Sequence, residues 1–154
     1  MYSSSKVINK LIKKNITISV VESCTGGLIS STLVKNDGVS KIFSSGLICY
    51  SNLSKIKYLS VSKKTLSKFG AVSSNIAEEM INKLYNKEKT IITISTTGIA
   101  GPKGGTKTKP VGLVYIGIKY NNNNFIYEKN FSGDRKSIQR KTKDFVFKKI
   151  QKLI

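Results

Sequence analysis

The chain has 154 residues, and its composition excludes several kinds of catalytic site. It contains no histidine, so Ser-His-Asp triads, Cys-His dyads and histidine-bearing zinc sites cannot be built from it. No apolar run approaches the roughly 20 residues of a membrane span, and the first six residues lack a signal-peptide pattern. We therefore expect a single cytoplasmic domain over residues 1–154 that is not bound to a membrane, with Cys24 and Cys49 as free thiols.

The net charge of +19 comes from 27 basic and 8 acidic residues. This charge should attract polyanions weakly. The lysines are scattered along the chain, however, whereas a nucleic-acid surface would concentrate them on one face and use more Arg. Lys, Ile and Asn, which number 25, 20 and 12, are the residues that A- and T-rich codons specify. We favour base-composition drift as the origin of the charge and expect no specific nucleic-acid partner.

The first half of the chain predicts helices that alternate with strands. Apolar residues at helical spacing, such as Val7 and Leu11, mark a first helix, and the apolar run over residues 16–21 indicates a buried strand. A second short helix follows and is closed by turn residues 36–38. Residues 46–50 are typical of another strand, and two short helices come after it.

The second half predicts a long helix, a strand, a hairpin and a terminal helix. The long helix spans residues 73–86, with serines at its start and two Glu in its early turns. Residues 90–95 are rich in β-branched side chains, and segments 111–120 and 125–131 flank four Asn, which predicts an antiparallel hairpin with a loose turn. An amphipathic helix ends the chain. This order predicts a three-layer α/β/α domain with a mixed β-sheet.

Four loops that end or follow predicted strands carry the unusual chemistry. They comprise residues 22–27, 49–55, 96–105 and 131–135. Ligands of open α/β sheets bind at such loops, so we expect all four to converge on one crevice. The glycines of the third loop match neither the Walker A nor the dinucleotide-binding pattern. Small residues and glycines before a helix also serve simply to turn the chain.

The first loop presents a hydroxyl and a thiol directly after a strand. If Ser23 or Cys24 is a nucleophile, its base must be a lysine, a carboxylate or a tyrosine, because histidine is absent. Arg135 is one of two arginines in a chain that otherwise uses lysine. Its presence indicates a position that needs a planar, bidentate cation.

Six short motifs follow one another along the chain. They are Glu-Ser-Cys-Thr-Gly-Gly from residue 22, Tyr-Ser-Asn-x-x-Lys from residue 50, Gly-Ala-Val-Ser from residue 70, Thr-Gly-Ile-Ala-Gly-Pro-x-Gly-Gly from residue 97, Lys-Pro-Val-Gly from residue 109 and Ser-Gly-Asp-Arg from residue 132. In this order and spacing they closely resemble the CinA C-terminal domain family. The resemblance covers essentially the whole chain from about residue 5, and the enzymatic members of the family are nicotinamide-nucleotide amidases.

The resemblance implies hydrolysis of the carboxamide of nicotinamide mononucleotide to nicotinate mononucleotide and ammonia. It implies that Ser23 is the nucleophile and Lys55 its base. We expect no cofactor, and no metal because the three Asp and five Glu are widely spaced. A Ser-Lys pair agrees with the histidine-free composition, provided that the lysine is held neutral by desolvation or by neighbouring cations.

The remaining roles are predicted from the chemistry of the residues in these motifs. Tyr50 is expected to orient Lys55 or relay a proton to the departing ammonia, with packing on the core as the alternative. Glu22 either fixes the turn by accepting N–H bonds or is a partner of Lys55, and Cys24 is a small packing residue. Backbone N–H groups near Thr25 and Gly26 are candidates to stabilise the oxyanion. The residues expected to contact the rest of the substrate are Gly27, Thr97, Gly98, Gly101, Gly104, Gly105 and Arg135, the last as a phosphate clamp.

The chain departs from the family pattern in a few ways. Phe69 stands where many relatives carry His, and the third loop has a basic tail at Lys103, Lys107 and Lys109. Many relatives carry an N-terminal molybdopterin-binding-like domain, and this chain resembles the stand-alone form. Two other interpretations stay open: a nucleotide-binding module without turnover, and a basic nucleic-acid-associated protein. We also expect a homo-oligomer, because the terminal helix is apolar and the hairpin has an open edge.

Overall fold

The computed structural model describes residues 3–154. Met1 and Tyr2 lie outside the described residues. They are the start of the domain expected over residues 1–154 and of the segment that lacks a signal-peptide pattern. In the described residues the chain forms six α-helices and five β-strands, with a short 3₁₀ helix at Val39–Lys41. In chain order they are α1 (Ser4–Lys13), β1 (Ile18–Glu22), α2 (Leu28–Val34), β2 (Phe43–Ile48), α3 (Asn52–Leu59), α4 (Lys63–Phe69), α5 (Ser74–Glu88), β3 (Ile92–Gly98), β4 (Leu113–Tyr120), β5 (Asn123–Asn130) and α6 (Arg135–Leu153). None of the helices in residues 3–154 has the length and apolar character needed to cross a membrane.

The five strands form one mixed sheet in the order β2-β1-β3-β4-β5. β1 runs parallel to both of its neighbours, with Ile18 opposite Phe43 and Ile92. β4 runs antiparallel to β3 and to β5. Because β1, β2 and β3 are parallel, their carboxyl ends lie at the same edge of the sheet. The predicted mixed sheet is confirmed.

Helices cover both faces of this sheet. On one face, Val20 of β1 packs in a core with residues of α1, α2 and α6, among them Leu11 and Phe147. On the other face, Val21 packs with residues from α3 to α5, among them Met80. Successive side chains of a strand point to opposite faces, so every residue of β1 is buried. The predicted three-layer α/β/α arrangement is confirmed.

The helix α5 lies close to the sheet because small residues face it. Ser95 of β3 donates its hydroxyl to the carbonyl oxygen of Ala77 at 2.7 Å. A Cβ on Gly117 of β4 would lie 2.5 Å from the Ser95 hydroxyl and 2.9 Å from the same carbonyl. Just before α5, the Ala71 carbonyl accepts a hydrogen bond from Thr97 at 2.7 Å. These contacts fix the segment before α5 against the carboxyl end of β3.

The predicted loose turn in the hairpin is wrong. Tyr120 pairs with Asn123, so the turn contains only Asn121 and Asn122, and β5 begins inside the asparagine run. Asn121 has a φ of 54°, in the left-handed region that Asn tolerates better than most residues. Four polar residues therefore form one tight turn and the first two positions of a strand.

The second strand also differs from its prediction. It covers Phe43–Ile48 rather than residues 46–50, because its pairing with β1 starts where Phe43 meets Ile18. As a result Tyr50 lies beyond the end of the strand, in the loop that leads to α3.

Candidate active site

The four loops predicted to converge do so in one pocket of about 250 Å³. It lies where the carboxyl ends of β1, β2 and β3 meet. The first loop contributes Ser23 and Cys24, the second contributes Tyr50 and Lys55, and α6 contributes Arg135. The third loop forms much of the wall, with Thr97, Gly98, Ile99, Ala100, Gly101, Lys103 and Gly104, and the segment before α5 adds Ala71 and Val72.

Ser23 and Lys55 contact each other in this pocket. The Lys55 Nζ lies 3.0 Å from the Ser23 Oγ and 3.2 Å from the backbone carbonyl oxygen of Tyr50. The Ser23 hydroxyl lies 3.4 Å from the same carbonyl. The backbone N–H of Ser23 donates to the Thr96 carbonyl at 3.0 Å, which ties the serine to the end of β3. The Lys55 amine, the Ser23 hydroxyl and the Tyr50 carbonyl form a small hydrogen-bonded network, in which the amine is within reach of the serine oxygen.

The start of α3 directs Lys55 toward the serine. The Ser51 hydroxyl accepts a hydrogen bond from the Ser54 N–H at 3.0 Å and so caps the helix. Lys55 follows in the next turn, and its side chain is only 1% exposed. A lysine so deeply buried is unusual unless its charge is compensated or removed.

Burial lowers the pKa of Lys55 from the ordinary range of lysine. The main cause is desolvation, which penalises the charged ammonium more than the neutral amine. The sulfur atoms of Cys49 and Cys24 act in the opposite direction without cancelling the effect. A lysine with a lowered pKa is neutral in a larger fraction of molecules, and only the neutral amine can accept a proton.

The Glu22 carboxylate organises the turn that carries Ser23. It is fully buried. One oxygen accepts the N–H groups of Gly27 and Ile29, both at 3.1 Å, and the other accepts the N–H and the hydroxyl of Ser30, both at 2.8 Å. These are donors at the start of α2 that the helix itself leaves unsatisfied. Of the two roles expected for Glu22, the structure supports the first, because the carboxylate bonds the turn.

Two backbone N–H groups of this turn have no oxygen acceptor. Those of Ser23, Gly26 and Leu28 donate to backbone carbonyls, and those of Gly27, Ile29 and Ser30 donate to Glu22. Among the described residues, no oxygen accepts the N–H of Cys24 or of Thr25. The Gly26 N–H, one of the groups expected near the oxyanion, is engaged with the Ser23 carbonyl at 3.1 Å. The turn therefore has two adjacent N–H groups immediately after the serine that no oxygen accepts, and that of Cys24 interacts with its own thiol.

Tyr50 accepts hydrogen bonds through its backbone carbonyl and its hydroxyl. Its side chain is 58% exposed, so the alternative that it packs on the core is wrong. Its carbonyl accepts from Lys55, whereas its hydroxyl accepts from the Arg135 Nη2 at 2.7 Å. The Arg135 Nη1 donates to the Gly101 carbonyl at 2.8 Å. Arg135 thus joins the second and third loops across the pocket.

The first turn of α6 is fixed where Arg135 begins it. Asp134 caps the helix, and its carboxylate accepts the Ser137 N–H at 2.8 Å. This hydrogen bond is the main reason why the pKa of Asp134 is lowered from the ordinary range of aspartate. The ionised cap also suits the positive end of the helix.

Several residues expected to bind substrate do not line the pocket. The Thr25 hydroxyl bonds the Thr96 hydroxyl at 2.8 Å and is buried. Gly26 and Gly27 have φ of 56° and 100° and shape the turn. At Gly105, a Cβ would lie 2.8 Å from the Val111 backbone nitrogen, so its role is close packing of the third loop. Glu22 does not line the pocket either, and its carboxylate bonds the backbone of the turn.

Four of the predicted residues of the third loop do fall on the pocket wall. Thr97, Gly98, Gly101 and Gly104 line it, although the Thr97 hydroxyl is engaged with the Ala71 carbonyl. A Cβ on Gly98 would lie 2.7 Å from the Leu113 carbonyl oxygen. The absence of a side chain there allows β4 to approach the pocket wall.

Sequence reasoning missed Gln139. Its side-chain amide donates to the Cys24 carbonyl at 3.0 Å, next to the candidate nucleophile. The signal was available, because Gln139 lies four residues after Arg135 and therefore on the same face of a helix. Lys103 was noted only as part of a basic tail, and it lines the pocket.

The thiol of Cys24 is poorly suited to act as the nucleophile. Burial raises its pKa to about 12, so the thiol is protonated at neutral pH, and the thiolate is the reactive form. Both cysteines are free and buried, as predicted. In residues 3–154, no group of three or more His, Cys, Asp or Glu side chains is arranged to hold a metal ion.

Known proteins resemble this chain along nearly its whole length. The family model of the CinA C-terminal domain matches residues 2–154. A CinA-like protein of Kosmotoga olearia is 50% identical over 139 residues, which cover 90% of this chain and 34% of that protein. The chain spans about a third of the length of the curated relatives it matches.

Solved structures share the fold. Competence/damage inducible protein CihA from Agrobacterium tumefaciens is 32% identical with a TM-score of 0.92, over 97% of this chain and 94% of that one. A CinA superfamily protein from Escherichia coli is 28% identical with a TM-score of 0.92, over 98% of this chain and 88% of that one.

Proposed function

The chain belongs to the CinA C-terminal domain family, and we propose that it is an amidohydrolase that converts nicotinamide mononucleotide to nicotinate mononucleotide and ammonia. In this proposal Ser23 is the nucleophile and Lys55 is its base. The observation that carries it is the 3.0 Å contact between the Ser23 Oγ and the Nζ of a fully buried lysine. The choice of nicotinamide mononucleotide comes from the family resemblance.

The chemistry requires two acyl-transfer steps. Neutral Lys55 takes the Ser23 proton as the Oγ attacks the carboxamide carbon, which gives a tetrahedral oxyanion. The intermediate collapses as the Lys55 ammonium protonates the departing nitrogen, so ammonia leaves and an ester forms on Ser23. Water then attacks the ester, Lys55 takes the proton of the water, and the released serine recovers a proton from Lys55.

The oxyanion needs donors close to the serine. The N–H groups of Cys24 and Thr25 are the candidates, since the neighbouring N–H groups of the turn are engaged. Donors of this kind contribute about 10²- to 10³-fold each to the rate. The buried Glu22 carboxylate fixes the residues that follow these two donors, Gly27, Ile29 and Ser30.

The phosphate of the substrate would face a cationic part of the pocket. Arg135 and Lys103 both line it. Arg135 uses two of its N–H groups on Gly101 and Tyr50, and a guanidinium has five. The remaining donors can bind a phosphate oxygen, with Lys103 as a second cation.

The decisive experiment measures ammonia release from nicotinamide mononucleotide by the wild type and by Ser23→Ala and Lys55→Ala. Removal of either member of a nucleophile–base pair should lower kcat by about 10³-fold or more. The matched controls are Ser31→Ala, exposed on α2, and Lys57→Ala, exposed on α3, and both should keep wild-type turnover. Circular dichroism would establish that each variant folds.

A second candidate function uses the same pocket without turnover. A wild type that binds the nucleotide but releases no ammonia would identify a nucleotide-binding module. Turnover that survives both active-site substitutions would show that the Ser-Lys assignment is wrong.

A further inference from the structure

The helix α6 contacts three of the four pocket loops from one face. Arg135 and Gln139 are one turn apart, so their side chains extend from the same side of the helix. Arg135 bonds Tyr50 and Gly101, and Gln139 donates its amide to the Cys24 carbonyl at 3.0 Å. No other donor in residues 3–154 reaches that carbonyl oxygen.

The Cys24 carbonyl belongs to the same peptide unit as the Thr25 N–H. A trans peptide is planar, and its C=O and N–H point in opposite directions. A hydrogen bond that fixes the carbonyl therefore also fixes the direction of the N–H. No oxygen in the described residues accepts the Thr25 N–H, which follows the pocket-lining residue Cys24. Gln139 therefore acts on the peptide of a candidate oxyanion donor without touching the substrate.

Glu22 does not provide this control. Its carboxylate bonds Gly27, Ile29 and Ser30, all of which follow the peptide between Cys24 and Thr25. The Thr25 hydroxyl bonds the Thr96 hydroxyl, a contact of the side chain and not of the peptide. The Gln139 amide is the contact that acts on the peptide itself.

We propose that Gln139 is a positioning residue for the oxyanion site, acting through the Cys24–Thr25 peptide. The inference rests on the proposed acyl-transfer function. Loss of the amide should leave substrate binding intact, because a ground-state carboxamide does not depend on this donor, and should slow the steps that form and collapse the oxyanion.

The test compares Gln139→Leu with Gln139→Arg and with Gln151→Leu. Leucine removes the donor, arginine restores an N–H donor of similar reach, and Gln151 is an exposed glutamine near the end of the same helix. For Gln139→Leu we expect kcat for ammonia release to fall about 10- to 100-fold, with KM within about twofold of wild type. Gln139→Arg should recover much of the loss, and Gln151→Leu should match the wild type.

Two further readouts do not depend on the identity of the substrate. A fluorophosphonate probe phosphonylates an activated serine with loss of fluoride and also develops charge on oxygen, so its rate should fall in Gln139→Leu. In NMR spectra, the Cys24 carbonyl ¹³C and Thr25 amide ¹⁵N resonances should shift in Gln139→Leu and stay unchanged in Gln151→Leu.

The outcomes separate the inference from the proposed function. A wild type that reacts with the probe but not with nicotinamide mononucleotide overturns the proposed substrate, and the probe rates still decide the role of Gln139. Wild-type rates in Gln139→Leu with both reagents overturn the inference, as does a Cys24 resonance that does not shift. A wild type inert to both reagents overturns the proposed function together with the inference that rests on it.

Discussion

Lys55 is the proposed base, and burial of its charge should lower the stability of the folded protein. Lys55 is almost completely buried, and its pKa is lowered chiefly by desolvation. Below its folded-state pKa, the group is charged in both the folded and the unfolded chain, and the full cost of burying the charge is present. As the pH rises from that value toward the ordinary lysine pKa of about 10.4, the folded protein binds fewer protons than the unfolded chain, so stability increases.

We therefore predict that Lys55→Met stabilises the protein at neutral pH. Methionine has a similar shape and no charge, so the free energy of unfolding should rise by about 1 to 2 kcal/mol, or a few degrees in Tm. The gain should shrink as the pH approaches 10, because the wild-type lysine loses its charge. Thermal denaturation at both pH values provides the measurement.

The control for this prediction is Lys57→Met, an exposed lysine on the same helix. It should change Tm little at either pH. An equal gain for Lys55→Met at neutral and high pH would mean that improved packing, and not the removal of a buried charge, explains the result.

Residue types alone predicted only part of this site. They showed that a nucleophile at Ser23 or Cys24 would need a base other than histidine, but they could not select one lysine among 25. That choice came from the motif resemblance. The contact of Lys55 with the serine depends on where α3 begins, which the Ser51 cap decides. Gln139 could not be predicted from the loops, because it lies one turn into α6, beyond the loop that ends at Arg135.

At the scale of elements, the start of α2 depends on one buried side chain. Glu22 accepts four hydrogen bonds from Gly27, Ile29 and Ser30. We predict that Glu22→Gln lowers the free energy of unfolding by about 2 to 4 kcal/mol. In either orientation of the new amide, its NH₂ group replaces an oxygen that serves two donors, so those donors lose their acceptor and face another donor.

Urea denaturation would measure this loss, with Glu78→Gln as the matched control. Glu78 is exposed on α5 and accepts from Asn124 at 3.1 Å, a bond that a Gln carbonyl can also accept. A Glu22→Gln protein as stable as Glu78→Gln would contradict the assigned role of the carboxylate.

The order and type of the elements could be predicted better than their ends. Hydrophobic periodicity located the strands and the main helices, because a buried face imposes a spacing that the sequence records. The ends of β2 and of the hairpin depend on pairing partners that are far away in the chain or across a turn. Asn123 and Asn124 are polar, and they join β5 only because β4 offers them partners.

At the scale of the whole molecule, charge repulsion should limit stability. Lys143 pairs with Asp144 at 2.7 Å, but 8 acidic residues cannot compensate 27 basic ones. We predict that raising the NaCl concentration from about 20 to about 500 mM increases Tm by several degrees, because the Debye length falls to a few ångströms. Differential scanning calorimetry provides the measurement.

The same protein supplies the control. Raising the pH lowers the net positive charge of the protein, so the effect of salt on Tm should become smaller in alkaline buffer. A Tm that does not change with salt at neutral pH would show that the charges are far enough apart to be screened by water alone.

The expected homo-oligomer stays a prediction, and one of its two reasons is weakened. Val146, Phe147 and Ile150 of α6 are buried in the core, whereas Phe145 and Leu153 are only partly buried. The three buried residues stabilise the fold of one chain and are not free to contact a second copy. The open edge of the sheet at β5 remains as the other reason.

The order of strands in the sheet has a consequence for how the protein folds. β4 and β5 are joined by a two-residue turn and can pair early, since closing a short loop costs little entropy. β1 pairs with β2 and with β3, and its partner strand β3 lies much later in the chain. Contacts between such distant segments form slowly. Because Ser23 follows β1 and its backbone N–H donates to Thr96 of β3, the serine is fixed only after these distant strands have paired, and we expect the candidate active site to be among the last features that the folding chain acquires.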